Sequence, residues 1–141
     1  MSRLNSILLV EDDSITNFIN ERLLRKLEVA NDIKIASNGL EALSVIQNSV
    51  ENSQNPPCLI FLDINMPVMD GFEFLSEFKL LNLPNKHNVV VIVLTTSTNL
   101  TDIEKLKGSG NTDFINKPLT KEKVQSIIKK HFTEFIEDVQ S

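Results

Sequence analysis

The sequence predicts an α/β fold: a doubly wound sheet of five parallel strands with helices on both faces. Two observations carry this. Apolar bursts at Ile7–Val10, Cys58–Leu62 and Val89–Leu94 are short, unbroken and mostly rich in β-branched residues, as strands covered on both faces must be. Between them lie segments with apolar residues at three- and four-residue steps, so that strand and helix alternate five times along 141 residues. Right-handed crossovers then distribute the helices over both faces.

Each element follows in order. After Ile7–Val10, a first helix is expected from the stripe Ile15, Phe18, Ile19, Leu23, Leu24 and Leu27, with Ser14 as its N-cap. Asp32–Ala36 alternates in the manner of an edge strand with one wetter face. Leu40, Leu43 and Ile46 mark a second helix after the Asn38-Gly39 turn, and Asn48–Pro57 reads as the polar loop before the third strand, Cys58–Leu62. Phe72, Leu75 and Phe78 form a third helix behind Gly71, and the fourth strand is Val89–Leu94. Leu100, Ile103 and Leu106 make a short fourth helix that Gly108 should end. Asp113–Asn116 is a short fifth strand. Val124, Ile127, Ile128, His131, Phe132, Phe135, Ile136 and Val139 form the stripe of a last helix after Thr120.

Composition narrows the function. A chain of 141 residues is expected to be one domain, with no internal repeat and no linker. Fourteen Lys+Arg against 19 Asp+Glu leave a net charge of −5, which offers no field to attract nucleic acid. The single cysteine, Cys58, rules out an internal disulfide and a cysteine-rich zinc site. Apolar runs are far shorter than the roughly 20 residues a bilayer requires. The N-terminus lacks a signal-peptide pattern, so the expectation is no membrane and a cytoplasmic location.

In open parallel sheets, ligands bind at the carboxyl ends of the strands. Those ends here carry Glu11-Asp12-Asp13 after the first strand, Asp63-Ile64-Asn65 after the third, Thr95-Thr96-Ser97 after the fourth and Lys117-Pro118 after the fifth. Two or three neighbouring carboxylates repel unless a cation neutralises them. Mg²⁺ suits such a site, because it takes one or two carboxylates together with water and phosphate oxygens. Lys117 adds positive charge for an anion and Thr95 a hydroxyl donor. The set describes phosphoryl transfer onto a carboxylate.

These strings, Ile7 to Asp13, Leu62 to Gly71, Leu94-Thr95 and Phe114 to Pro118, together resemble the receiver domain of two-component response regulators, over essentially the whole chain. The resemblance implies a (βα)5 flavodoxin-like sheet in strand order 2-1-3-4-5. It implies one receiver domain over residues 1–141, with a core of about 6–138 and no effector domain. Asp63 is then the phosphoacceptor, taking a phosphoryl group from a histidine kinase or histidine phosphotransfer protein in a Mg²⁺-dependent reaction. Asp12 and Asp63 ligate the metal directly, Asn65 through its backbone carbonyl and Glu11 through water. Asp13 is a helix-start residue. Lys117 contacts the phosphoryl group, and the Lys117–Pro118 bond is cis. Thr95 and Phe114 form the switch. A downstream protein target binds the face of the fourth helix, fifth strand and fifth helix, and the chain is a monomer or a weak phosphorylation-dependent dimer. Such a domain is a phospho-accepting switch that catalyses only its own phosphorylation and dephosphorylation. Thr96 stands where the family generally has a smaller residue, so slower self-dephosphorylation than in Thr96→Ala is expected.

A phosphorelay intermediate passing the phosphoryl group on shares the same residues and stays open beside the stand-alone regulator. Other readings fare worse. A flavodoxin-like FMN carrier would need a phosphate loop where Glu11 and Asp12 stand, and the chain has no Trp or Tyr to flank a flavin. A phosphatase with an aspartyl nucleophile calls for an acid at position 65, which Asn65 cannot supply. Neither His87 nor His131 is followed by the acidic residue that typically assists a phosphorylated histidine, and His131 reads as a partly buried structural residue.

Overall fold

The computed structural model describes residues 3–83, 88–96 and 112–132. The strands are β1 (Leu4–Val10), β2 (Ala30–Ala36), β3 (Leu59–Asp63), β4 (Val90–Thr95) and β5 (Thr112–Asn116). All neighbours pair in parallel, in the order β2-β1-β3-β4-β5, with Leu9 opposite Phe61, Asp63 opposite Leu94 and Thr95 opposite Asn116. The helices are α1 (Ser14–Leu27), α2 (Gly39–Glu51), α3 (Gly71–Leu80) and the last helix, Lys121–His131. The expected fourth helix at Leu100–Leu106, and Phe135, Ile136 and Val139 of the last stripe, lie outside the described residues, as does His87.

Strand alternation divides the core into two layers. Leu8, Val10, Ile60, Leu62, Val91 and Val93 face Ala42, Leu43 and Ile46 of α2 and Phe74, Leu75 and Phe78 of α3. Leu9, Leu59, Phe61, Ile92 and Leu94 face the other way, toward Leu24 of α1 and Val124 and Ile127 of the last helix. Every residue of β3 and β4 is buried, whereas β2 at the edge leaves Ile35 exposed.

Four local expectations are corrected. The N-cap of α1 is Asp13 and not Ser14: Asp13 has extended backbone and its Oδ2 accepts from the Thr16 N–H at 3.2 Å. The α1 stripe is not one buried face. At 3.6 residues per turn Ile15, Phe18 and Ile19 share one arc, which is solvent-exposed, while Asn17, Asn20 and Leu24 occupy the opposite, buried arc. Leu40 is exposed too, and Ala42, Leu43 and Ile46 carry the packing of α2. That helix also runs on through Asn48–Glu51, where Ser49 returns its hydroxyl to the Val45 carbonyl at 3.0 Å, so only part of the expected loop is loop.

Candidate functional site

The carboxyl ends of β1, β3, β4 and β5 converge as expected. Glu11 continues β1 by one residue, and its N–H donates to the Ala36 carbonyl at 3.0 Å. Asp63 is the final residue of β3 and is 6% exposed, as is Glu11, while Asp12 faces solvent. Carboxylate oxygens of Glu11, Asp12 and Asp63 all lie within 4.8 Å of one another. Lys117 enters from the segment after β5, 106 residues away from Glu11 in sequence, and its Nζ stands 3.0 Å from both Glu11 Oε1 and Asp63 Oδ1. Its own N–H donates to the Thr95 carbonyl at 2.9 Å, tying the ends of β4 and β5 together. The Lys117–Pro118 peptide is cis.

The electrostatics follow from this crowding. Asp12 is pushed above the usual carboxylate range, first by its hydrogen bond to Glu11 and then by slight desolvation and the charges of Glu11 and Asp13. Burial pulls Lys117 down, but hydrogen bonds to Glu11 and Asp63 outweigh it and hold the ammonium above its ordinary value. One ammonium against three carboxylates leaves an excess of negative charge when all are ionised. Oxygen-only donors, two of them buried and one open to solvent, fit a hard divalent cation that keeps part of its water shell.

Thr95 is buried at the end of β4 and Thr96 beside it is exposed. Asn65 is exposed two residues beyond Asp63. Phe114 is half-buried opposite Val93 and packs against the layer shared with α2 and α3. Ser97 and the residues beyond it up to 111 lie outside the described residues, so of the expected output face only β5 and the last helix are described.

Three features were not anticipated. A Cβ at Gly71 would sit 2.7 Å from the Asp63 carbonyl oxygen and 2.9 Å from Ile64 Cα, so only glycine lets the start of α3 close on the strand end. The Gly71 N–H then donates to the Ile64 carbonyl at 2.9 Å, and Asp70 and Glu73 complete a capping box. Val68 holds a positive φ of 67° at the rim, within a turn closed by the Met69 N–H to the Pro67 carbonyl. Asn17, buried in α1, donates to the Glu11 carbonyl at 2.8 Å. The sequence carries no signal for the last, because an apolar stripe does not say which arc of α1 meets the protein.

A doubly wound parallel sheet here carries an acidic cluster of oxygen donors and one lysine at its carboxyl edge. The family model of the response regulator receiver domain matches residues 7–129, and the chain belongs to that family. A two-component response regulator from Cytophaga hutchinsonii superimposes with a TM-score of 0.84 at 28% identity, over 94% of this chain and 99% of that one. The receiver domain of sensor histidine kinase PA1611 from Pseudomonas aeruginosa, with a magnesium ion coordinated in its active site cleft, gives 0.71 at 25% identity over 92% and 98%. A probable C4-dicarboxylate response regulator, DctR of Priestia megaterium, is 28% identical over 89% of this chain, which spans about half (51%) of that protein. Receiver domains are phospho-accepting switches of two-component signalling that bind Mg²⁺ at such an acidic cluster and accept phosphoryl groups from histidine kinases or phosphotransfer proteins. Among the described residues no helix is long and apolar enough to cross a membrane.

Proposed function

We propose that this chain accepts a phosphoryl group on Asp63 from a partner's phosphohistidine. The observation that carries the reading is the convergence of Glu11, Asp12, Asp63 and Lys117 on one point. A carboxylate oxygen of Asp63 forms the new bond to phosphorus while the phosphorus–nitrogen bond of the donor breaks and its electron pair returns to the imidazole. Asp12, Asp63 and the Asn65 carbonyl, with Glu11 through water, would hold Mg²⁺, which when bound would neutralise the carboxylates and phosphoryl oxygens. Lys117, already paired with Asp63, follows the charge as it moves outward onto the phosphoryl group. Thr95 turns its hydroxyl to a phosphoryl oxygen, and Phe114 repacks with it and alters the face that β5 and the last helix present to a target. Thr96, at the exposed rim, narrows the approach of water.

The donor must sit over the strand ends. Beside them α1 presents Ile15, Phe18 and Ile19, exposed by 67%, 64% and 57%, at the spacing that a partner helix reads. That ledge seats the phosphohistidine-bearing partner. Incubation with a small phosphodonor and Mg²⁺, followed by mass analysis, tests the chemistry. Wild type gains one phosphoryl group, and Asp63→Asn gains none. Labelling that persists in Asp63→Asn would overturn the assignment.

A further inference from the structure

Among the described residues, Asn17 is a buried polar group bonded to the acidic loop that the chemistry above does not use. It is 6% exposed, its Nδ2 donates to the Glu11 carbonyl at 2.8 Å, and its Oδ1 is buried with no hydrogen-bond partner. The amide orientation is fixed by its neighbour, since a carbonyl can only accept and therefore selects Nδ2. An unpaired buried acceptor is costly to the fold. A leucine would avoid that cost and is a better helix former. Burial here is thus not hydrophobic in origin, because α1 turns Ile15, Phe18 and Ile19 outward while it keeps this amide inside.

What the amide secures is the geometry of two adjacent carboxylates. Each peptide unit is a rigid plane. The plane before Glu11 is pinned by its N–H on the Ala36 carbonyl, and the plane after it, which joins Glu11 to Asp12, is pinned by Asn17. With both planes fixed, the Glu11 side chain can leave the backbone in only one direction. The second plane also places the Cα of Asp12. We propose that Asn17 is a positioning residue for the cation site, holding the Glu11–Asp12 peptide so that both carboxylates converge on Asp63. This rests on the reading of the acidic cluster as a Mg²⁺ site. Removal of partners that orient metal ligands weakens affinity by about 10–100-fold in known sites, and a backbone tether of this kind belongs at the lower end.

The experiment titrates MgCl₂ into the full chain by calorimetry, alongside thermal melts in chelator, for wild type, Asn17→Leu and Asn20→Leu. Asn20 is equally buried one turn along α1, and among the described residues it makes no hydrogen bond to the acidic loop. Asn17→Leu should weaken Mg²⁺ binding about tenfold without a lower melting temperature. Asn20→Leu should leave Mg²⁺ affinity unchanged. Should Asn17→Leu not fold, Asn17→Ala, which adds no bulk, is put through the same titration. Unchanged affinity in the Asn17 variant, or an equal loss in Asn20→Leu, would overturn the inference while the Mg²⁺ site stands. A wild-type chain that takes up no Mg²⁺ would overturn the site reading and this inference with it.

Discussion

α1 and the last helix cover the same face of the sheet, yet they use their apolar residues in opposite ways. The last helix buries Val124 and Ile127 and turns Lys121, Glu122, Lys129 and Lys130 to solvent. α1 does this only in its final turns, where Leu24 joins the apolar layer; its first turns bury Asn17 and expose Ile15, Phe18 and Ile19. The difference lies in what each helix segment faces. The start of α1 lies against the acidic loop, whose backbone needs a donor, and there an amide serves better than a methyl group. The apolar side chains left outside then form the ledge beside the site. Val68, an exposed valine at positive φ, belongs to the same rim.

The largest test of this contrast is stability. Ile127→Ala, at a position 5% exposed, should cost roughly 2–4 kcal/mol through lost transfer energy and the cavity left behind. Phe18→Ala removes a larger side chain and should cost under about 0.5 kcal/mol. Urea unfolding of the two variants side by side measures the difference, and comparable losses would break the contrast.

Second in size is a rate. Phe18→Asp should slow transfer from a phosphohistidine protein about tenfold, since an anchor truncated in an interface typically costs more than 1 kcal/mol. Labelling by a small phosphodonor should stay at the wild-type rate. A loss with both donors would mean that the substitution disturbs the acceptor, and the ledge would lose its role as a seat.

The rim also predicts a gain. A left-handed conformation costs a residue with a Cβ about 1–2 kcal/mol, whereas glycine pays chiefly through the entropy of its unfolded chain. Val68→Gly should therefore stabilise the fold by about 0.5–1 kcal/mol, visible as a higher melting temperature. If that variant also receives the phosphoryl group more slowly from a protein donor alone, Val68 extends the ledge across the site. A lower melting temperature would show that the valine side chain has packing worth more than its strain.

The contrast also explains what the sequence disclosed. Strands β3 and β4 were legible because burial on both faces leaves an unbroken apolar run. The acidic site residues were legible because each follows an apolar strand directly, whereas Lys117 follows the short, partly polar β5 and was legible only through the string Phe114 to Pro118. Leu4–Ser6 of β1 is not legible as strand, since the polar Ser6, though buried, breaks the apolar run. The rotation of α1 was not legible, because an apolar stripe signals amphipathicity but not which arc meets the protein. The reach of Lys117 to Glu11 spans 106 residues and exists only once β1 and β5 share a sheet edge. Asn17 and the positive φ of Val68 depend on backbone geometry that spacing does not encode.

The outer face of the last helix yields the smallest effect. Lys130 Nζ lies 2.6 Å from Asp113 Oδ2 with most of the lysine in solvent, and His131 Nε2 stands 3.5 Å from the same oxygen. Burial pushes the Asp113 carboxyl up, but Lys130 and the Phe114 N–H outweigh it and hold the group below its ordinary value of 3.8. The folded chain thus binds this proton less readily than the unfolded chain. The resulting stability is complete above the unfolded value and disappears as pH falls through the lower, folded one. Asp113→Asn should cost only a few tenths of a kcal/mol (roughly) at neutral pH, because solvent screens the exposed ammonium. The cost should shrink with added salt and vanish as the solution is acidified below the folded value. Melting curves of both proteins from neutral to acid pH decide it. A cost that persists in acid would place the contribution of Asp113 in its packing, and the last helix would then owe part of its docking to its outer face as well as to Val124 and Ile127.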